Sequence, residues 1–366
     1  VGAVIDIDIG TVSPRLLLAL AAWCVVAALI AVAGTYGVIC FAKTFGVLDF
    51  PNDRSSHHRP TPRGGGVAIV MVGLASVAVL AAAGLSPPPS SVWVLLGSLI
   101  IAGVSSLDDI ATVSPKVRLA VQGGAAMLTV AALGPAQSIT LGPIGSFDLG
   151  ALAWPLTVLW IVGMTNAFNF MDGVDGIAGL TAAIAMAVLS AGLLVAGENF
   201  TALVAAALSA AALGFLAWNW QPAKIFMGDV GSAFLGYTIA VLPLTATAES
   251  RAWLLPLTAC VMWPFLFDTT YTIIRRLTKR ENVFEAHRSH LYQRLVIRGW
   301  SHRAVASLYG GLSAVAGGAA FAAFCIPAIE SDAMCLLLCA AIALGACGLV
   351  VLVRGVESRA AWRVAP

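Results

Sequence analysis

The stretch NAFNFMDGVDGIAG, residues 166–179, decides how this chain is read. It sets two carboxylates, Asp172 and Asp175, and two carboxamides, Asn166 and Asn169, in a Gly-rich turn between long apolar segments. Each acid is followed by glycine, so the backbone turns sharply and its N–H groups can approach a ligand closely. One Asp-Gly pair would suffice for a turn between helices. Two pairs, with Asn166 and Asn169 at a depth where polar groups are costly, ask for a bound partner such as a cation with phosphates attached.

The flanks of that stretch set the fold class. Of 366 residues, 60% are hydrophobic and 10% are charged, which excludes an ordinary soluble domain. A transmembrane helix needs roughly 20 mostly apolar residues. About eleven segments qualify: 14–41, 66–84, 91–107, 118–134, 150–168, 175–196, 200–218, 232–247, 253–274, 304–328 and 333–353. They are too long for barrel strands, which alternate over about ten residues. The expected fold is therefore an all-α polytopic membrane protein with about 11 transmembrane helices. Residues 1–366 form one integral membrane domain, with the polar motifs between about 40 and 310.

Of the 20 Lys and Arg, 18 fall in loops 43–65, 108–118, 169–174, 219–231 and 275–303 and in the tail 354–366. The positive-inside rule then places the N-terminus outside and the C-terminus in the cytoplasm. The polar clusters sort to the same cytoplasmic side: Arg54–Arg59, Asp108-Asp109, Asn166–Asp175, Asn219–Asp229 and His287–His290. Five clusters on one face suggest one site assembled from several loops.

Each cluster also has an ordinary reading. Asp108-Asp109 is a solvated helix end, or a pair of repelling carboxylates that needs a cation; beside the other clusters the second is preferred. Ser114-Pro115 reads as the start of the next helix. Asp229, in FMGDVGS (226–232), is a helix cap shared with Ser232 or a metal ligand. Mg²⁺ takes one or two carboxylates and completes its shell with phosphate and water, which suits separated acids. The run His57-His58-Arg59-Pro-Thr-Pro-Arg63-Gly-Gly-Gly66 is an anion cradle or a loop that orients the chain. In the loop 275–303, His287 and His290 share a face if that stretch is helical. A zinc site there lacks a third nearby ligand. Asp268 and Arg275, seven apart, read as a buried ion pair on one helix face.

Taken in order, SLDD (106–109), NAFNFMDGVDGIAG (166–179) and FMGDVGS (226–232) resemble the motifs of the polyprenyl-phosphate N-acetylhexosamine-1-phosphate transferases. This membrane family includes the MraY translocase, WecA, TagO and WbpL-type enzymes. The resemblance covers roughly residues 40–310. It implies transfer of a sugar-1-phosphate from a UDP-N-acetylhexosamine to undecaprenyl phosphate, with Mg²⁺ (or Mn²⁺ in its place) as cofactor. By motif, Asp229 resembles the Mg²⁺ ligand, and Asp108 and Asp109 the acidic pair, one member of which acts on the lipid phosphate. Asn166, Asp172 and Asn219 match polar site residues, with Asn169 beside them. Asp175 and Phe226 resemble the uracil contacts, and His290 the start of the His motif. Asp108, Asp109, Asp172 and His290 are thus the catalytic candidates, and Arg59, Arg63, His287 and Arg288 join the substrate-binding set. The motif His290-Leu-Tyr-Gln departs from the usual two or three His and looks WbpL-like. The 57–66 loop lacks the Lys of the MraY type, which disfavours a peptide-bearing substrate.

The partners implied are a UDP-N-acetylhexosamine, undecaprenyl phosphate and membrane lipids, with a second copy of the chain as a candidate homodimer partner and no nucleic acid. The implied location is the bacterial inner membrane, with the site facing the cytoplasm. Two rivals are a broken-helix secondary transporter and a CDP-alcohol phosphatidyltransferase. The acids cluster at one face rather than the midplane, and VDGIAG has no Arg where the second rival's motif carries one.

Overall fold

The computed structural model describes residues 14–51, 59–111, 113–141, 145–283, 285, 287–325 and 331–362. A helix stands at each apolar segment: α1 (Pro14–Phe45), α2 (Gly66–Ala82), α3 (Ser91–Ala111), α4 (Pro115–Leu133), α5 (Ala153–Met171), α6 (Ile177–Val195), α7 (Asn199–Asn219) and α8 (Asp229–Val241). These are followed by α9 (Ala248–Val261) with α10 (Trp263–Thr278), then α12 (His302–Cys325) and α13 (Ser331–Trp362). A short helix, α11 (Leu291–Ile297), lies inside the basic 275–303 loop. Two antiparallel pairs, β1 (Leu48–Asp49) with β2 (Thr61–Pro62) and β3 (Ser138–Thr140) with β4 (Ser146–Asp148), complete the chain.

Local chemistry explains several boundaries. Ser114 caps α4 by accepting from the Val117 N–H, and Pro115 occupies its first turn, as the sequence suggests. The ninth apolar segment is two helices bent by 71°. Pro264 opens α10 at this bend, where its missing N–H costs nothing. Pro243 converts the end of α8 to a 3-10 turn, Leu242–Thr245.

Among the described residues, seven helices are long and apolar enough to cross a membrane, or eight if the bent pair is one span. This is fewer than the eleven expected from the sequence. Helix α2 has only 17 residues, and α8 with its 3-10 turn runs only Asp229–Thr245. Helix α4 carries Lys116, Arg118 and Gln122 in its first half. An all-α polytopic membrane protein is what the helices form.

The helices pack in a defined order. Helix α7 lies between α6, α1 and α2, and α8 lies between α3 and α5. Helix α12 packs on α6 and α9, and α13 lies outside α12. In the most apolar stretch of α7, 72% is buried, against 17% in α13. Helices α1 and α13 therefore leave apolar side chains such as Leu29, Leu337 and Leu344 exposed, as a lipid-facing surface requires. Helix α10 inverts the soluble pattern: Asp268, Thr269, Thr272 and Arg276 are buried while Ile274 and Leu277 are exposed.

Candidate active site

The C-terminal end of α3 and the N-terminal end of α8 meet at a cluster of acids bridged by two arginines. Arg63, just before α2, places Nη2 2.8 Å from Asp109 Oδ1 and 3.0 Å from Asp229 Oδ1. Arg118, from α4, places Nη1 3.0 Å from Asp229 Oδ2 and also pairs with Asp108. Each oxygen of Asp229 thus faces one guanidinium. Burial alone would lower the Arg63 pKa, but Asp109, Asp229, Asp49 and Asp172 outweigh it and hold the group protonated above its ordinary value.

The two members of the acidic pair have different local duties. Asp109 Oδ1 accepts the Asp229 N–H at 3.0 Å, and Oδ2 accepts the Val230 N–H at 3.1 Å. Asp109 therefore caps α8 from another helix and satisfies two of its free N–H groups. The alternative reading of Asp229 as a helix cap shared with Ser232 therefore does not hold. Ser232 Oγ instead donates to Gly228 O at 3.2 Å and receives Asn169 Nδ2 at 2.9 Å. Gly228 holds φ at +77°, and a Cβ there would lie 2.8 Å from Asp109 Oδ2, so the cap needs glycine. Asp108 Oδ1 accepts the Val113 N–H at 2.6 Å, which closes the turn from α3 to α4.

The glycine run at 64–66 is not an open anion cradle. The Gly65 and Gly66 N–H groups donate to Phe226 O and Met227 O, both at 2.9 Å. What the run permits is a helix crossing: a Cβ on Gly66 would lie 2.3 Å from Gly231 Cα. Of the arginines before it, Arg63 enters the cluster and Arg59 is exposed outside it. His57 and His58 lie outside the described residues.

The Asn166–Gly179 stretch ends α5, turns and starts α6. Asn166 Nδ2 donates to Gln122 Oε1 at 2.6 Å and to Val162 O at 2.8 Å. Asp175 Oδ2 accepts the Ala223 N–H at 3.1 Å, and Oδ1 lies 3.2 Å from His302 Nδ1. Asn219 is buried, accepting from the Gly176 N–H and donating to Ile225 O, each at 2.9 Å. Asn219 and Asp175 thereby hold the DGVDG turn against the 219–228 loop, with Phe226 half-buried at the junction. Asp172 is different. Its backbone N–H donates to Asn169 O at 3.3 Å, while its carboxylate makes no hydrogen bond or ion pair to a described residue. Burial and the carboxylates of Asp229, Asp109 and Asp175 push its carboxyl well above the usual range, with Arg63 pulling the other way.

The basic loop brings its histidines to the same end. His290 is buried at the start of α11, with Nδ1 3.2 Å from Asp268 Oδ1 and its ring centroid 6.3 Å from that of Phe170. His287 lies 5.1 Å from the His290 ring, and its Nδ1 meets Ser289 Oγ at 2.9 Å. Burial, then the charges of His290 and Arg276, lower the His287 pKa to about 4. Arg288 is half-buried between the two histidines in sequence. The expected Asp268–Arg275 ion pair does not form, because seven residues of helix separate the two by about 10 Å of rise. Arg275 donates to Ser289 O at 3.3 Å instead.

The structure adds Arg118, Gln122, Tyr292 and His302 to the candidate set. Arg118 reads in sequence as a helix-end charge beside Lys116. Its place, four residues into a helix that folds back beside Asp108, is the signal that could have marked it. Among the described residues, Asp108, Asp109 and Asp229 form ion pairs only with Arg63 and Arg118, and Asp172 adds a fourth acid without one, so the cluster is short of positive charge. Among the described residues no three His, Cys, Asp or Glu side chains are arranged to hold a metal ion. Asp108 and Asp229 are nevertheless in side-chain contact and offer hard carboxylate oxygens of the kind Mg²⁺ takes.

Comparison with known proteins identifies the family. Residues 91–247, which hold the acidic pair, the DGVDG turn and Asp229, match the model of glycosyl transferase family 4. A probable undecaprenyl-phosphate N-acetylglucosaminyl 1-phosphate transferase of Bacillus subtilis (strain 168) is 37% identical over 265 residues, covering 72% of this chain and 73% of the relative. A decaprenyl-phosphate N-acetylglucosaminephosphotransferase of Mycobacterium tuberculosis (strain CDC 1551 / Oshkosh) is 32% identical over 358 residues, covering 90% and 88%. The undecaprenyl-phosphate alpha-N-acetylglucosaminyl 1-phosphate transferase of Escherichia coli (strain K12) is 28% identical over 277 residues, covering 72% of each. The chain belongs to glycosyl transferase family 4, as a polyprenyl-phosphate hexosamine-1-phosphate transferase.

Proposed function

We propose that this protein transfers N-acetylhexosamine 1-phosphate, with N-acetylglucosamine as the first sugar to test, from its UDP donor to a polyprenyl phosphate, releasing UMP. The observation that carries this reading is Asp229 clamped between Arg63 and Arg118, with Asp108 and Asp109 beside it and Asp172 unpaired nearby. The names of the relatives support both the sugar and the lipid acceptor. We also read all eleven apolar segments as crossings. The loop charges then put this cluster on the cytoplasmic face of a bacterial inner membrane, where a nucleotide sugar would reach it. The product would initiate a cell-envelope polysaccharide.

The chemistry needs little general base. A phosphate monoester has a second pKa of about 6, so near pH 7 much of the acceptor is already a dianion. Its oxygen attacks the phosphorus that bears the sugar. The new P–O bond forms as the bond to the bridging oxygen breaks, and UMP leaves with that electron pair. The obstacle is bringing two anions together. Arg63 and Arg118 supply cationic groups for this, and their present partners, Asp108, Asp109 and Asp229, hold them in place until phosphate arrives. Asp229 with Asp108 would hold Mg²⁺, which when bound neutralises phosphate charge and aligns the leaving group. Asp109, with both oxygens on backbone N–H groups of α8, is placed to fix Asp229 rather than to act as a nucleophile. We therefore favour direct displacement over a covalent aspartyl intermediate.

Purified protein with undecaprenyl phosphate, Mg²⁺ and a panel of UDP-N-acetylhexosamines, read by UMP release, tests the reading. Release with at least one sugar, dependent on the lipid phosphate, is expected. No UMP from any of them would end it. Retained configuration at a chiral phosphorus would replace direct displacement with the covalent route.

A further inference from the structure

We propose that Asp268 is a positioning residue of this reaction, setting His290 and the end of α5 through its hold on residues 290–292. The inference rests on the transferase reading above. Asp268 is 0% exposed. A carboxylate so buried persists only where donors surround it. Oδ1 accepts from the Leu291 N–H at 2.8 Å, His290 Nδ1 at 3.2 Å and Thr272 Oγ1 at 3.2 Å. Oδ2 accepts from Tyr309 OH at 2.6 Å and the Tyr292 N–H at 3.0 Å.

Three of these five donors belong to consecutive residues, 290–292. Two turns along the same face of α10, Arg275 donates to Ser289 O at 3.3 Å. One helix face thus takes the N–H groups of this segment with a carboxylate and a carbonyl with a guanidinium, which ties the segment to α10 at two points. Because a carboxylate only accepts, the hydrogen of a neutral His290 sits on Nδ1 and Nε2 is left as an acceptor. The same hold extends to the DGVDG turn. The Tyr292 N–H is on Asp268, while its OH donates to Phe170 O at 3.0 Å, two residues before Asp172. Tyr292 also packs against Gly173, where a Cβ would lie 2.1 Å from its OH. Asp268 touches no reacting group itself; it acts through His290 and Tyr292.

The test is Asp268→Asn, which keeps the size but turns one acceptor into an NH₂ facing donors. We expect kcat to fall on the order of 10- to 100-fold, with KM for UDP-N-acetylglucosamine changed by less than about 3-fold. Adding Asp268→Asn to the double variant His290→Ala/Tyr292→Phe, which lacks both groups it acts through, should cost less than about 2-fold beyond that double variant alone, whereas a merely structural role would multiply the losses. Diethyl pyrocarbonate labelling read by mass spectrometry should become severalfold faster at His290 and stay unchanged at His302. Unchanged kcat, multiplying losses or unchanged His290 labelling would each overturn the proposal. If Asp268→Asn does not accumulate, Tyr309→Phe, which removes one donor from the carboxylate, gives the same comparison with a smaller effect. A wild-type protein that releases no UMP would sink the transferase reading instead, and the labelling would still decide whether Asp268 holds His290.

Discussion

Asp268 in α10 accepts five hydrogen bonds from its own chain. Asp172, at the end of α5, accepts none from any described residue, and the carboxylates of Asp229, Asp109 and Asp175 crowd it. Both are acids set in or beside apolar helices, although the sequence marks only Asp172 as a catalytic candidate and reads Asp268 as half of an ion pair. The difference teaches which acid the fold uses and which it holds ready. A carboxylate saturated by backbone N–H groups and side chains stabilises a particular chain path. A carboxylate left uncompensated is a cost to the empty protein that a ligand can remove.

The sharpest way to break that contrast is Asp172→Asn. Turnover should fall by about 10²- to 10³-fold, yet the ligand-free protein in chelator should melt at a higher temperature than wild type. The sign follows from its raised pKa. Folding disfavours the charged form, so stability is lost as pH rises through the folded-state pKa, and at pH 7 the amide removes that penalty. Asp268→Asn should move the melting temperature down. A lower melting temperature for Asp172→Asn would remove the distinction between the two acids.

Arg118→Ala comes next. Arg118 joins Asp108 to Asp229, so its loss should lower turnover by roughly 10- to 100-fold. Arg59→Ala, outside the cluster, should cost much less. Equal losses from the two would mean that neither geometry nor pairing ranks these arginines.

The smallest expected effect on turnover belongs to the scaffold. Gly66→Ala puts a methyl against Gly231 and should destabilise by about 1–3 kcal/mol, read as a lower melting temperature. Its turnover should change less than that of Arg118→Ala. A neutral melting temperature would show that the α2–α8 crossing can widen freely.

These residues also show what was legible beforehand. The eleven apolar segments each hold a helix, because length and hydropathy are local properties that the bilayer reads directly. The polar motifs converge for the same reason: they sit at helix ends, and helix ends gather at one face. Pairing was not legible. Asp109 as the cap of α8, Asn219 as the tie to Gly176, and Asp268 on α11 instead of Arg275 all depend on contacts between distant parts of the chain. The Gly64–Gly66 run shows the limit well. Sequence reads it as backbone freed for an anion, while the fold commits that backbone to Phe226 and Met227. Crossing counts were also obscured, since α2, α4 and α8 are apolar by pattern but short or charged by length and composition.

The most direct test compares UMP release by wild type and Asp229→Asn. Both would be purified at equal yield, with undecaprenyl phosphate, UDP-N-acetylglucosamine and saturating Mg²⁺. If the carboxylate between Arg63 and Arg118 organises the transfer, the Asp229→Asn protein should retain less than about one thousandth of wild-type turnover while remaining inserted and folded. Turnover near the wild-type rate would contradict the placement of the reaction at this cluster.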